Sequence, residues 1–593
     1  MKMGQPTTRA RPEPSQRAFL KRIATILLLA LFLLLILWLL RTPLKTYLNS
    51  VTGEESTWEQ IKGLGRLLVL SLTRPPLQLE PYAPIAHAGV SPFGVNTFLE
   101  QEVEPQKVAL ALRMIREAGF RWIRQEFPWE DIEQSARGDF WDHKWNVSAW
   151  EKYDRIVELA NKYGLQIIAR LGNPPAWSRA DGDARGTFAP PDDFEDFGNF
   201  VYTVVSRYKG KVKYYQIWNE PNIYPEWGEQ PVDAAGYVRL LQIAYRRAKE
   251  ADPDCVILCA GLAQTLERGP KNLNELLYLQ QQYDAGVKGY FDIMGVMAYG
   301  LWTGPGDHRT SPELTNFSRP QLIRDIMVRN GDADKPLWAT EVGWNAVPSD
   351  FPAFPMYGRV TEEQQARYAM QAYQRAQEEW PWMGVLNYWF FKRATDTETN
   401  QVFYYFRMVE PDFTPLPVCE AMKEYANQSP RVYIGYHQED HWALEWEGHW
   451  EEVKDGQAVL GAFRRSNRPG DALRFTFVGT ELELVVHKGP QGGTLRVSID
   501  GQASRDVVLR SGTSEYGVFI PLARGLRYGA HRVEMVTSSA PGTQVDIDGL
   551  LVRRTQSAWL SYAIVPAAVV VFAALLFGFH KRRGQVAVSP LKY

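Results

Sequence analysis

The chain has 593 residues, more than one hydrophobic core organises, because cores stop growing near about 250–300 residues and longer chains divide. Its formal net charge of −2 supplies no basic field of the kind nucleic-acid binding needs, so no nucleic-acid partner is expected. Three cysteines exclude a disulfide-dense scaffold.

Residues 1–22 form a basic tail carrying Lys2, Arg9, Arg11, Arg17, Lys21 and Arg22. Residues 23–40, IATILLLALFLLLILWLL, are an unbroken apolar run that as a helix reaches roughly the 30 Å of a bilayer core. A transmembrane helix is expected here rather than a cleaved signal peptide. The run exceeds a typical h-region, and Arg41-Thr-Pro-Leu-Lys45 follows in place of a small-residue cleavage site. Residues 41–88 read as a connector, with a short helix expected near 57–72. Arg74-Pro-Pro, Pro81 and Pro84 then favour extended chain. Whether the leucines of that helix rest on a membrane surface or on the next domain is open from sequence.

Residues 89–429 alternate short apolar or β-branched runs with longer amphipathic stretches, as expected when parallel strands are joined by crossover helices. Eight strands are expected, at 93–97, 121–125, 166–170, 214–218, 255–259, 292–297, 337–341 and 385–389. Between the first two, Val108, Leu112, Ile115 and Ala118 recur at helical spacing, as do Tyr153, Ile156, Val157 and Ala160 in the next gap. Eight βα units over this length predict an α/β fold of the (β/α)8 TIM-barrel type, whose reactive groups cluster at the carboxyl ends of the strands. An open doubly wound sheet lacks its Gly-rich phosphate fingerprint, since the first strand ends Gly94-Val-Asn-Thr-Phe98. Cys255 and Cys259 share one strand, too far apart along it to bridge, and read as small buried side chains. Cys419 is left open.

Two carboxylates stand out. The fourth strand ends Tyr214-Tyr-Gln-Ile-Trp-Asn-Glu-Pro-Asn222, placing Glu220 at its terminus with Asn219 beside it. The seventh ends Leu337-Trp-Ala-Thr-Glu-Val-Gly-Trp344, placing Glu341 at the same height three strands later. Two carboxyls on opposed walls of one barrel mouth are what glycosidic cleavage requires: one protonates the leaving oxygen, and the other attacks or activates water. That chemistry needs neither a metal nor an organic cofactor, so none is expected.

After residue 430 the helical period gives way to short alternating runs separated by Gly and Asp turns, at 473–477, 482–486, 494–499, 518–522, 531–536 and 544–547. An antiparallel β-sandwich is expected over 430–556, as a carbohydrate-binding module or a spacer. Residues 559–579 form a second apolar run, closed by a tail at 580–593 that begins His580-Lys-Arg-Arg583. The two spans thus flank both domains. Basic residues outside each predict both termini in the cytoplasm and the intervening domains on the extracytoplasmic side of the cell membrane.

Trp218-Asn-Glu-Pro221 and Thr340-Glu-Val-Gly343 resemble the fourth- and seventh-strand signatures of glycoside hydrolase clan A, nearest to families 39 and 5. Gly479-Thr-Glu-Leu, Ile499-Asp-Gly501 and Ile547-Asp-Gly-Leu550 resemble galactose-binding-like modules. The clan resemblance implies a carbohydrate substrate and a retaining double displacement, with Glu220 as general acid then base and Glu341 as nucleophile. It also implies Asn219 bonding the sugar 2-hydroxyl, Arg124 holding Glu341 ionised, Tyr299 donating to the nucleophile and Trp389 forming a floor under the sugar. The sixth strand departs from the pattern: Met297 stands where these families often carry His. Trp177, Trp227 and Trp302 are each either sugar platforms or loop packing. Two alternatives stay open, a transglycosylase using the same site and a non-catalytic glycan-binding protein of envelope polysaccharide assembly.

Overall fold

Eight short strands pair in parallel: β1 Phe93–Thr97, β2 Trp122–Pro128, β3 Gln166–Gly172, β4 Tyr214–Ile217, β5 Val256–Cys259, β6 Met294–Met297, β7 Leu337–Val342 and β8 Met383–Tyr388. They lie in the order β5-β4-β3-β2-β1-β8-β7-β6 in this computed structural model, which describes residues 42–538 and 542–555. Parallel bridges Leu258↔Ile293 and Leu262↔Val296 join β5 to β6 and close the sheet on itself. The result is the expected α/β barrel. Strands β1, β4, β5, β6, β7 and β8 are buried along their whole length, because helices cover the outside of the sheet and side chains fill its inside. They therefore read as nearly continuous apolar runs.

Each connection carries a helix whose apolar face meets the barrel. In Pro105–Glu117 the buried residues are Val108, Ala111, Leu112 and Ile115, and in Glu151–Lys162 they are Tyr153, Ile156, Val157 and Ala160. Glu362–Glu379 opens with a capping box in which the Thr361 side chain accepts from Gln364 N and the Gln364 side chain accepts in return. All three cysteines are free and buried.

The chain divides into two units, one of residues up to Glu80 with Ser91–Gln428, the other of Pro81–Val90 with Ser429 onward. The stretch 41–88, expected as a connector, is thus shared between them. Its helix, Thr57–Thr73, belongs to the barrel unit. Residues 81–90 belong to the second, where Gly89 O accepts from Trp442 N at 2.9 Å.

That second unit has two antiparallel sheets. One joins Glu451–Lys454, Ala462–Ser466, Val545–Arg553, Glu481–Lys488 and Glu515–Ala523 in that order, with Gly435–Gln438 also on Val545–Arg553. The other runs Glu445–Glu447, Ala472–Gly479, Gly529–Thr537, Thr494–Ile499 and Arg505–Val508. Alternate residues Leu473, Phe475, Phe477, Leu482, Leu484 and Val486 face one shared core, the period-2 pattern that marks half-buried strands.

Among the described residues no helix is long and apolar enough to cross a membrane. The two expected spans, 23–40 and 559–579, and the tails 1–22 and 580–593 lie outside the described residues.

Candidate active site

Arg124, inside β2, is the centre of the site. Only 3% exposed, it spends its guanidinium on four acceptors from three other strands and their ends. Nε donates to Gln216 Oε1 at 2.7 Å, Nη1 to Asn96 Oδ1 at 2.7 Å and to Glu341 Oε1 at 3.1 Å, and Nη2 to Asn219 Oδ1 at 2.8 Å. A planar fork with fixed donor directions suits such a task; a lysine ammonium does not. Asn96 is itself fixed, donating to Thr340 O at 3.0 Å. Gln216 and Asn96 escaped sequence reading. The signal was there: each is a lone amide inside an apolar strand, in Tyr-Tyr-Gln-Ile and Phe-Gly-Val-Asn-Thr.

Glu341, in β7, receives two hydrogen bonds, one on each oxygen. Arg124 reaches Oε1, and the Tyr299 hydroxyl donates to Oε2 at 2.5 Å. Tyr299 follows β6 and stacks edge-on against Phe406, with centroids 5.5 Å apart. Met297 is fully buried, and its Sδ accepts from Thr340 Oγ1 at 3.4 Å. The position where His was expected therefore packs against β7 and leaves the contact to Glu341 to Tyr299.

Glu220 sits just past β4 in a different setting. Its backbone has φ +36°, and Trp218 two residues before has φ +72°. Non-glycine residues rarely occupy this region, and such strain collects where function needs a particular side-chain direction. The turn is held by Trp218 Nε1 donating to Glu226 O at 2.7 Å and by Gln216 Nε2 donating to Trp218 O at 2.8 Å. No hydrogen bond to the Glu220 carboxyl occurs among the described residues.

Electrostatics separate the pair. Burial pushes Glu220 well above the usual carboxylate range, and the charges of Glu341 and Glu226 push it further, against Arg124 and Arg170. Burial also raises Glu341, but there Arg124, the Tyr299 hydroxyl and Arg170 act against it. Arg124 thus acts on Glu341 in the expected direction, favouring its ionised form, while burial opposes it. Because Glu341 alone has two donors on its oxygens, the shared negative charge belongs there and the proton on Glu220.

Three further residues of this network were not foreseen. Arg170, in β3, is ion-paired with Glu126 of β2 and acts on Glu341 through space. Glu226 is pushed up to about 7 by burial. Tyr357, before Gly358 in the loop after β7, feels the charges of both Glu220 and Glu341.

The aromatic expectations divide. Trp389, just past β8, is half-buried and edge-on to Phe98 at 5.5 Å, in the cluster that also holds Tyr299. Trp177 is committed to the loop after β2: its Nε1 donates to Glu133 O at 2.8 Å, and its ring meets buried Trp129 edge-on at 5.4 Å. No hydrogen bond joins it to either glutamate among the described residues. Trp227 is buried against Trp218 and Tyr237, so it has no open face for a sugar; it is packing. Trp302 is exposed beside Phe354. Among the described residues no group of three or more His, Cys, Asp or Glu has an arrangement that holds a metal ion.

No family model matches the chain. A 6-phospho-beta-glucosidase of Clostridium longisporum is 29% identical over 111 residues, which is 19% of this chain and 22% of that protein. The chain thus matches about a fifth of the length of this curated relative. Among solved structures, the chain is similar to a family 39 glycoside hydrolase from Bacteroides cellulosilyticus WH2, with 17% identity and TM-score 0.44, over 77% of this chain and 83% of that one. It is likewise similar to GH5_18 from Streptomyces cattleya, with 15% identity and TM-score 0.43, over 58% and 83% of the two chains.

Proposed function

We propose that this protein is a retaining glycoside hydrolase that cleaves O-glycosidic bonds through a glycosyl-enzyme intermediate. The observation that carries the reading is the unequal dressing of two glutamates at the ends of β4 and β7. Glu341 accepts from Arg124 and Tyr299, which orient and stabilise an anion. Glu220 has no donor among the described residues, is pushed to hold its proton, and suits protonation of a leaving oxygen.

In the first step Glu341 attacks the anomeric carbon as Glu220 gives its proton to the departing oxygen. In the second, Glu220 takes a proton from water, which displaces Glu341. Asn219, oriented by Arg124, supplies an amide toward a sugar hydroxyl, and Trp389 supplies a flat apolar face.

The runs 23–40 and 559–579, with basic residues outside each, support anchoring at both ends with the enzyme on the extracytoplasmic face. A polysaccharide or oligosaccharide of the cell envelope or its surroundings is the substrate this arrangement favours. A panel of 2-deoxy-2-fluoroglycosyl fluorides tests the chemistry. The matching sugar should label Glu341, as read by peptide mass mapping, and natural turnover should retain anomeric configuration by NMR. Inversion, or labelling elsewhere, overturns the reading. A reporter fused after Tyr593 tests the topology, and activity outside the cytoplasm contradicts it.

A further inference from the structure

The helix Thr57–Thr73 is seated on a side that holds Gln60, Gly63 and the half-buried Leu67 and Leu70, leaving a second, apolar side uncovered. Gln60 and Gly63 are its buried residues. Gln60 Nε2 donates to Lys45 O at 3.2 Å and to Glu54 O at 2.8 Å. At Gly63 an added Cβ would stand 3.0 Å from Thr52 Cβ, so the helix is seated closely on that side chain. Arg309, paired with Glu54 at 2.7 Å, and Arg74, donating to Thr310 O at 2.5 Å, tie the two flanks of the helix to the barrel unit.

Away from that seat Trp58, Ile61, Leu64, Leu68, Val69 and Leu72 fall on one arc of the helix and are 45–78% exposed. Single exposed apolar residues are ordinary, but a continuous row of large ones marks an interaction surface. Lys62 and Arg66 border the row, with Lys62 Nζ 5.3 Å from the Trp58 ring centroid. Glu59, the one acid of the helix, is paired with Lys62 at 2.8 Å. An apolar face with Trp and Leu, edged by basic side chains, is the composition of helices that lie in a bilayer interface.

The course of the chain says what covers it. The apolar run 23–40 ends 18 positions before Trp58. Residues 42–52 between them are helical and present exposed Leu44 and Tyr47. At helical rise for that segment and extended chain for the rest, Trp58 is held within roughly 40 Å of the end of the run.

We infer that the face made by Trp58, Ile61, Leu64, Leu68, Val69 and Leu72 binds the lipid surface of the membrane in which the chain is anchored. Its apolar side chains enter the headgroup–acyl boundary, and Lys62 and Arg66 meet lipid phosphates. The barrel is thereby held against the bilayer by one defined flank and does not swing on a tether. The inference rests on the proposed anchoring and adds which surface of the enzyme faces lipid.

The test uses the full chain with a single cysteine introduced by Leu68→Cys or Leu72→Cys, or, as the reference, by Glu158→Cys on the exposed side of Glu151–Lys162. The native thiols are buried, so an environment-sensitive fluorophore attaches at the new site. Each protein is reconstituted into phosphatidylcholine–phosphatidylglycerol vesicles; flotation reports anchoring, and nitroxide on the lipid acyl chains reports contact. The expected result is flotation of all three, with emission at positions 68 and 72 shifted to shorter wavelength and quenched about two-fold or more, and position 158 unaffected. Flotation with quenching at 68 and 72 no greater than at 158 overturns the inference and leaves anchoring standing. A short-wavelength shift without lipid quenching also overturns it, showing that protein, a second copy or another segment of this chain, covers the face. Failure to float removes the anchoring and the inference together.

Discussion

Tyr299 and Arg124 grip opposite oxygens of Glu341, the hydroxyl on Oε2 at 2.5 Å and the guanidinium on Oε1 at 3.1 Å. The two bonds fix the orientation of the carboxylate and favour its ionised form. Tyr299→Phe should therefore lower kcat by roughly 10- to 100-fold, the scale of one charge-assisted hydrogen bond. The hydroxyl lowers the proton affinity of Glu341, so its removal raises it, and the acid limb of the kcat/KM profile should move to higher pH. An unmoved acid limb would mean that Tyr299 only fills space.

The division of labour between the glutamates is testable with azide. In Glu341→Gly no covalent intermediate forms, and turnover should fall on the order of 10⁴-fold or more. Azide should then give an inverted glycosyl azide from an activated glycoside. In Glu220→Ala the loss should be roughly 10²- to 10⁴-fold on natural substrates but small for the first step with a phenolate leaving group, and azide should give the retained product. Exchange of these two stereochemical outcomes would reverse the assignment.

Glu226 gives a pH prediction of opposite sign to that of Tyr299. Its negative charge raises Glu220, so Glu226→Gln should lower the proton affinity of the acid. The alkaline limb of kcat/KM should move to lower pH, and the acid limb much less. An unmoved alkaline limb would show that Glu226, with its value of about 7, is already neutral when Glu220 gives its proton.

Arg124→Met should destabilise the barrel as well as silence it. The substitution leaves the oxygens of Glu341, Asn96, Gln216 and Asn219 without their common donor. Breaking a buried ion pair from one side costs about 3–5 kcal/mol. Denaturant unfolding should show a loss of that order, and Arg124→Lys should recover only part of it, since an ammonium cannot reach all four acceptors. A stability near wild type for the methionine variant would show that water replaces the guanidinium.

Sequence by itself determined the strands, because a barrel strand buried on both faces needs an apolar run and its crossover helix needs a stripe of period 3.6. Hence Phe93–Thr97 and Leu337–Val342, and the spacing of Val108, Leu112 and Ile115, were legible without coordinates. Glu220 and Glu341 were legible for a related reason: a carboxyl that directly ends an apolar strand bears a desolvation cost, and a reactive site at the barrel mouth is where that cost serves a purpose. What tertiary structure decided is which groups meet. Arg124 and Glu341 are 217 residues apart, and Asn96, Gln216 and Glu226 enter the site only because barrel closure turns separate strand ends toward one point. Likewise, sequence showed a short helix near 57–72 but left open whether its leucines rest on a membrane surface or on the next domain. Only the fold, by seating Gly63 and Gln60 against the chain around Thr52 and Glu54, determined that the apolar side faces outward.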